Sequence, residues 1–159
     1  MTYLETPIPN RSEHLWRYTP WKKVHPTKID KLPDIKPSPV LVNGQLSKAS
    51  NYRKVIPDSE ISRTFLAESN STLHEIIIDN NSIDTEVVIH AERELESCHL
   101  HFDVRSSGSV CLRLLGTSSW FGLSITGKLQ QNVNFSFAIF NDLNEKCTVL
   151  RCEDWEISR

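Results

Sequence analysis

No proline follows Pro57, and no apolar run approaches the roughly 18–20 residues that a membrane-spanning helix needs. Proline removes a backbone donor and is confined to sheet edges, so its absence leaves the second part of the chain free to form fully bonded strands. The shortness of the apolar runs excludes a helical membrane span. Residues 1–14 lack the apolar stretch of a secretory signal. The four cysteines, Cys98, Cys111, Cys147 and Cys152, form no CxxC pair. These absences together predict a cytoplasmic protein with reduced thiols. There is no P-loop, no GxSxG, no HExxH and no convincing carboxylate pair, so the sequence does not predict an enzyme.

What is present suits one ordinary globular domain: 159 residues, 38% hydrophobic and 24% charged. The net charge of −2 hides an asymmetry. Residues 1–50 carry eight Lys/Arg against four Asp/Glu, net +4, and the remainder is net −6. A basic tail can serve nucleic acid. Here the cations are spread singly between prolines, with Lys22-Lys23 the only adjacent pair before residue 50. Phosphate binding needs clustered cations, so a solvated surface is expected and no nucleic-acid partner.

Seven of the eight prolines lie between Pro7 and Pro39. They predict an extended, irregular arm with one short helical turn at Ser12–Tyr18, capped by Ser12 and stopped by Pro20. Trp16, Tyr18 and Trp21 form too large an apolar load for an arm without its own core. They are expected to anchor it on the rest of the chain or on a partner, rather than to stack nucleobases. Val40-Leu41-Val42 followed by Asn43-Gly44 reads as a strand into a tight reversal, with Gln45-Leu46 beyond it. Ile61, Phe65 and Leu66 behind Asp58 predict a helix over residues 59–68.

From His74 onward the chain is a ladder of short apolar segments. Ile77, Val88, Leu100, Leu112, Leu123, Phe135 and Val149 mark their centres and follow one another at a near-constant interval. That regularity predicts an all-β stack, and it fits parallel coils as well as antiparallel hairpins. Strands are predicted at His74–Ile78, Glu86–His90, Ser97–Val104, Ser109–Leu115, Trp120–Thr126, Val133–Phe140 and Cys147–Arg151. The turns between them fall at 79–82, at 106–108, at Gly127 and at 141–144. Alternation sets Cys98, Leu100 and Phe102 on one face and His99, His101 and Asp103 on the other. The same alternation sets Val133, Phe135, Phe137 and Ile139 against Asn132, Asn134 and Ser136.

His90, Cys98, His99, His101, Asp103 and Cys111 are the one concentration of borderline and soft ligands. His99, His101 and Asp103 could bind a divalent metal together with a group from the next strand. The competing reading is a polar strip facing solvent. Cys111 could stack near Cys98 in a solenoid, although buried cysteine is also a common small hydrophobe. Cys147 and Cys152 complete the four thiols. Cys98 and Cys111 are out of phase with any shared site, so one chain is not expected to hold a cluster stably. A cupin-type barrel using His99 and His101 is one alternative, and a β-solenoid binding module without chemistry is another.

Two stretches carry a resemblance. Glu13-His14-Leu15-Trp16-Arg17-Tyr18-Thr19-Pro20 resembles the E-x-W-[RK]-Y-T signature of SufB/SufD proteins of iron–sulfur cluster assembly, with one extra residue between Glu13 and Trp16. Val40-Leu41-Val42-Asn43-Gly44-Gln45-Leu46-Ser47 resembles the V-x-V-[ND]-G strand and turn that follows it in SufD. The resemblance implies a mainly β fold, a right-handed parallel β-helix-like stack preceded by an extended and helical N-terminal arm. The implied division is an arm at 1–50, a connecting helix at 51–72 and a β-helix-like core at 73–159. It also implies a cytoplasmic scaffold that works as a homodimer or as a heteromer with a SufB/SufD-like protein. An iron–sulfur cluster or iron would pass only transiently through the complex. The chain stops at Arg159, short of the family's late cysteine and histidine and of its segment for docking the ATPase SufC. The resemblance is therefore to a short member, and none of those residues is carried over.

Overall fold

Leu73 lies opposite His99, Leu95 opposite Trp120 and Trp120 opposite Thr148, each pair hydrogen-bonded in parallel. Each of these steps along the chain is about double the interval between successive apolar segments. Alternate segments therefore belong to different sheets, and one coil of backbone contains two strands. These pairings come from a computed structural model that describes residues 34–50, 72–82 and 84–158 together with Glu5, Lys31 and Ser69.

Ten strands follow in order: β1 (Lys36–Pro37), β2 (Val40–Val42), β3 (Gln45–Leu46), β4 (Leu73–Ile78), β5 (Asp84–Ala91), β6 (Leu95–Val104), β7 (Gly108–Gly116), β8 (Trp120–Leu129), β9 (Phe135–Leu143) and β10 (Thr148–Ile157). The first sheet stacks β4, β6, β8 and β10 in parallel, with β1 beside the start of β6. The second stacks β5, β7 and β9 in parallel. At its N-terminal edge the β2–β3 hairpin is added antiparallel to β5. The architecture is a β-solenoid of about three turns. Parallel pairing excludes a cupin-type barrel, which hairpins would build. All the predicted ladder strands are present, most of them slightly longer than expected.

The core lies between the two sheets. Ile76, Ile78, Val87, Ile89, Leu100, Phe102, Leu112, Leu114, Leu123 and Ile125 are buried, each on the inward phase of its strand. Burying each such side chain contributes about 1.5–3 kcal/mol relative to exposure. Side chains at equivalent coil positions stack into columns, as in Ile76, Phe102, Gly127 and Trp155. Gly127 is a strand residue inside β8 and not the predicted turn. Trp155 leans back across it to stack on Phe102 at 6.0 Å between ring centroids. A Cβ on Gly127 would lie 2.2 Å from the indole, so the missing side chain makes room for the ring. The turn instead falls at 130–134, with Asn132 at φ 62°. Likewise β9 runs on through Leu143, and the next turn is closed by Cys147 N–H on the Asn144 carbonyl at 2.8 Å.

The Asn43-Gly44 reversal is as expected, with φ of 49° and 76°. The other family-motif positions, Glu13, Trp16, Arg17, Tyr18 and Thr19, lie outside the described residues. So do Trp21, the turn at Ser12–Tyr18 and the helix at 59–68.

One buried carboxylate joins the N-terminal strands to the coils. Glu96 is 2% exposed. Its Oε1 accepts the N–H groups of Glu92 and Arg93 at 3.1 and 2.7 Å, and its Oε2 accepts the Ser38 hydroxyl. It thus satisfies the tight corner before β6 and fixes the strand behind β1. Glu96→Gln supplies one acceptor oxygen and turns an NH2 group toward donors. We expect a loss of about 2 kcal/mol. A lower urea midpoint at unchanged slope would show it; a midpoint within error of the parent would refute the role.

Candidate functional site

The outward phase of β6 places His99, His101 and Asp103 in a row, and register sets Ser124, Thr126 and Lys128 of β8 beside them. The sheet is the reason: paired residues on neighbouring parallel strands project from the same face. His99 Nε2 and His101 Nδ1 both lie 3.0 Å from the Thr126 hydroxyl oxygen. A hydroxyl has one proton to donate and two lone pairs. With both rings neutral, Thr126 donates to one imidazole and accepts the N–H of the other. The Leu100 carbonyl, at 3.5 Å, is a further acceptor for the same proton.

Only part of this row faces solvent as alternation suggested: Lys128 is exposed and His101 and Asp103 are half-buried, but the rest is shielded. His99 is 7% exposed, Thr126 3% and Ser124 1%. Burial lowers the His99 pKa to about 4, helped by the neighbouring His101. Burial also lowers that of His101, against the carboxylates of Glu75 and Asp103, which act to raise it. Both rings are therefore neutral bases near pH 7. The Ser124 hydroxyl, on the same face of β8 as Thr126, is buried and has no hydrogen-bond partner among the described residues.

The three predicted ligands share a face but not a focus. His99 and His101 converge on Thr126, whereas Asp103 turns to Arg105, with Nε at 2.8 Å and Nη2 at 2.6 Å from its carboxylate. Among the described residues no three His, Cys, Asp or Glu groups are gathered to hold a metal ion. The cysteines are dispersed as well. Cys98 points into the core beside Leu123, and burial pushes its thiol well above the ordinary range. Cys111 belongs to the other sheet, between Glu86 and Ala138, so it does not stack on Cys98. Cys147 is half-buried before β10, and burial raises its thiol too. Cys152 lies on the outward phase of β10 opposite Ser124. Four thiolates around one cluster do not fit this arrangement. His90 is on the second sheet, at the end of β5.

No motif in the sequence nominates Thr126 or Ser124. The signal was there: one full coil beyond His99 and His101 lands on Ser124 and Thr126. A histidine beside a hydroxyl is the geometry of nucleophile activation. Here the hydroxyl is buried, no carboxylate among the described residues hydrogen-bonds to either ring, and the network ties β6 to β8.

A second feature lies at the C-terminal end of the stack. Phe135, Phe137 and Trp155 form a half-buried aromatic group against Phe102, with centroid separations of 5.4–6.2 Å. β9 pairs with β7 on one side, and no described strand occupies its other edge. Phe140, on its outward phase, is 60% exposed. Among the described residues no helix is long and apolar enough to cross a membrane. No family model, curated protein or solved structure matches the chain.

Proposed function

We propose that the chain is a cytoplasmic SufB/SufD-like scaffold or accessory component of the Suf iron–sulfur cluster assembly system, acting through protein–protein association. The observation that supports this best is the end of the solenoid at β9. This strand carries a single charge and no proline, and its outer edge has no described partner. Such an edge is a template for another strand unless it is covered. The half-buried Phe135, Phe137 and Trp155 behind it give a partner apolar surface to close. The Val40–Ser47 stretch and the arm motif point to the same family. In this reading the partner is a second copy or a longer SufB/SufD-like protein. On the same reading a SufC-type ATPase joins the assembly, and the cluster is its cargo.

The test is association measured by light scattering at micromolar concentration, for the chain alone and mixed with a full-length SufB or SufD. We expect a mass above that of one chain in at least one of the two. Phe140→Asp should abolish it, while the thermal midpoint stays within a few degrees because the side chain is exposed. A monodisperse monomer under both conditions would overturn the reading.

A further inference from the structure

At the opposite end of the stack, β4 pairs with β6 on one side, and no described strand runs along its other edge. The Thr72 and Ile78 carbonyls accept the N–H groups of His99 and Arg105, so the even-numbered residues of this strand bond to β6. The odd-numbered ones face away. Leu73 is met there by Ser50, whose N–H reaches its carbonyl at 2.7 Å in an antiparallel bridge. Alternation aims the N–H and C=O groups of Glu75 and Ile77 along the same edge. No described backbone group meets them.

The reason is local. Had residues 45–49 continued the Ser50 bridge, they would have covered this edge. Gln45 and Leu46 instead pair with β2, drawn off by the Asn43-Gly44 reversal. The divergence opens a groove of about 420 Å³ between the hairpin and β4. Val42, Gln45, Leu46, Glu75, Ile76 and Ile77 line it. Leu46 and Ile77 are 69% and 40% exposed. Glu75 is exposed and forms no ion pair among the described residues; Arg105, which feels its charge, is held on Asp103.

We propose that this groove binds an extended peptide segment of a partner protein, added to β4 as an antiparallel strand and carrying a basic residue beside aliphatic ones. The Ser50–Leu73 bridge sets the direction. Strand addition satisfies the backbone groups of Glu75 and Ile77, and side-chain alternation sets the preference. The partner residue opposite Glu75 lies on its side of the sheet, where Lys or Arg neutralises the carboxylate. The residue opposite Ile77 is aliphatic and covers Leu46 and Ile77. The one between them points inward, over Ile76 and Val42, and is also aliphatic. This site is at the other end of the molecule from β9 and does not depend on membership of a cluster-assembly system.

The probe is the peptide acetyl-Thr-Ile-Val-Lys-Thr-amide, titrated into the isotopically labelled full chain and followed by amide shifts and hydrogen exchange. In the free protein the amides of Glu75 and Ile77 should exchange rapidly. Saturating peptide should protect them and shift signals confined to residues 42–47 and 75–77. N-methylation of the peptide's Ile and Lys amides should weaken binding by about ten-fold or more. A Lys-to-Glu peptide should bind about ten-fold worse to the parent and recover on Glu75→Lys, a surface change that leaves the fold intact. Protection of both amides before peptide is added would overturn the proposal, because a segment of this chain or a second copy would then fill the edge. Unchanged affinity on N-methylation, absence of the charge-swap recovery, or shifts located elsewhere would overturn it equally.

Discussion

Gly116→Ala should cost at least about 4 kcal/mol, and the variant should melt roughly 10 °C or more below the parent. Two independent effects act at this position. Gly116 has φ +128°, a conformation that L side chains rarely adopt. An added Cβ would also lie 2.1 Å from the Ala91 carbonyl oxygen and 2.7 Å from its carbon. That carbonyl has no room to retreat. Ala91 is fully buried, and its oxygen accepts the Ser118 N–H at 3.0 Å. Gly116 in turn accepts the Asn144 N–H at 3.0 Å, so one residue holds successive corners of the stack in register. Gly44→Ala is the control. Its φ of +76° is unfavourable to alanine, but no atom lies within 4 Å of the new Cβ. It should cost about 1 kcal/mol from backbone conformation alone. Urea unfolding of the two variants separates clash from conformation. Equal losses would show that the close approach at Gly116 carries no weight.

The rhythm of the stack was legible because it is a property of apolar residues alone. Leu100, Leu112 and Leu123 are buried for the same reason that their neighbours alternate, and that pattern survives without any knowledge of pairing. Coil and hairpin were not separable from it. Both place apolar segments at a similar interval, and only the partner of each strand distinguishes them. The parallel answer also explains the errors. Gly127 looked like punctuation because glycine usually is, yet its role depends on Trp155, one coil later, lying across its backbone. Asn141 and Asp142 looked like a turn, but their positions opposite Leu114 and Leu115 keep them in the sheet. In each case a contact one coil away overrode a local preference.

The candidate site was half legible for the same reason. His99 and His101 stood out as a pair on one face, and their shared face is real. What organises them is Thr126, which only the coil step could have nominated. Asp103 was grouped with them by alternation, and a nearer cation claims it: Arg105, on the same chain segment, at 2.6 Å. Glu96 is not legible in the sequence, because a single glutamate in a strand carries no motif. Its role needs Ser38, far back in the chain, and the corner at Glu92 and Arg93.

Acid should weaken this fold through the same histidine network. A ring that is neutral in the folded chain at pKa about 4, but titrates at 6.5 when unfolded, binds its proton in the unfolded state first. Its stability contribution is therefore complete above pH 6.5, declines as the pH falls from there to about 4, and is gone below that. For His99 the window corresponds to roughly 3 kcal/mol of lost stability. Burial lowers the pKa of His101 and His74 as well, so their contributions have the same sign. His99→Gln keeps a hydrogen-bonding group near Thr126 and removes the titration. Its unfolding free energy, measured by urea at pH 7.0, 5.5 and 4.5, should fall less steeply with acid than the parent's, with the two curves converging toward pH 4. The two proteins differ at this one side chain, so the difference between the curves reports on the ring. Parallel curves would mean that His99 is protonated as readily in the folded chain as in the unfolded one, and that the sealed contact with Thr126 does not exist in solution.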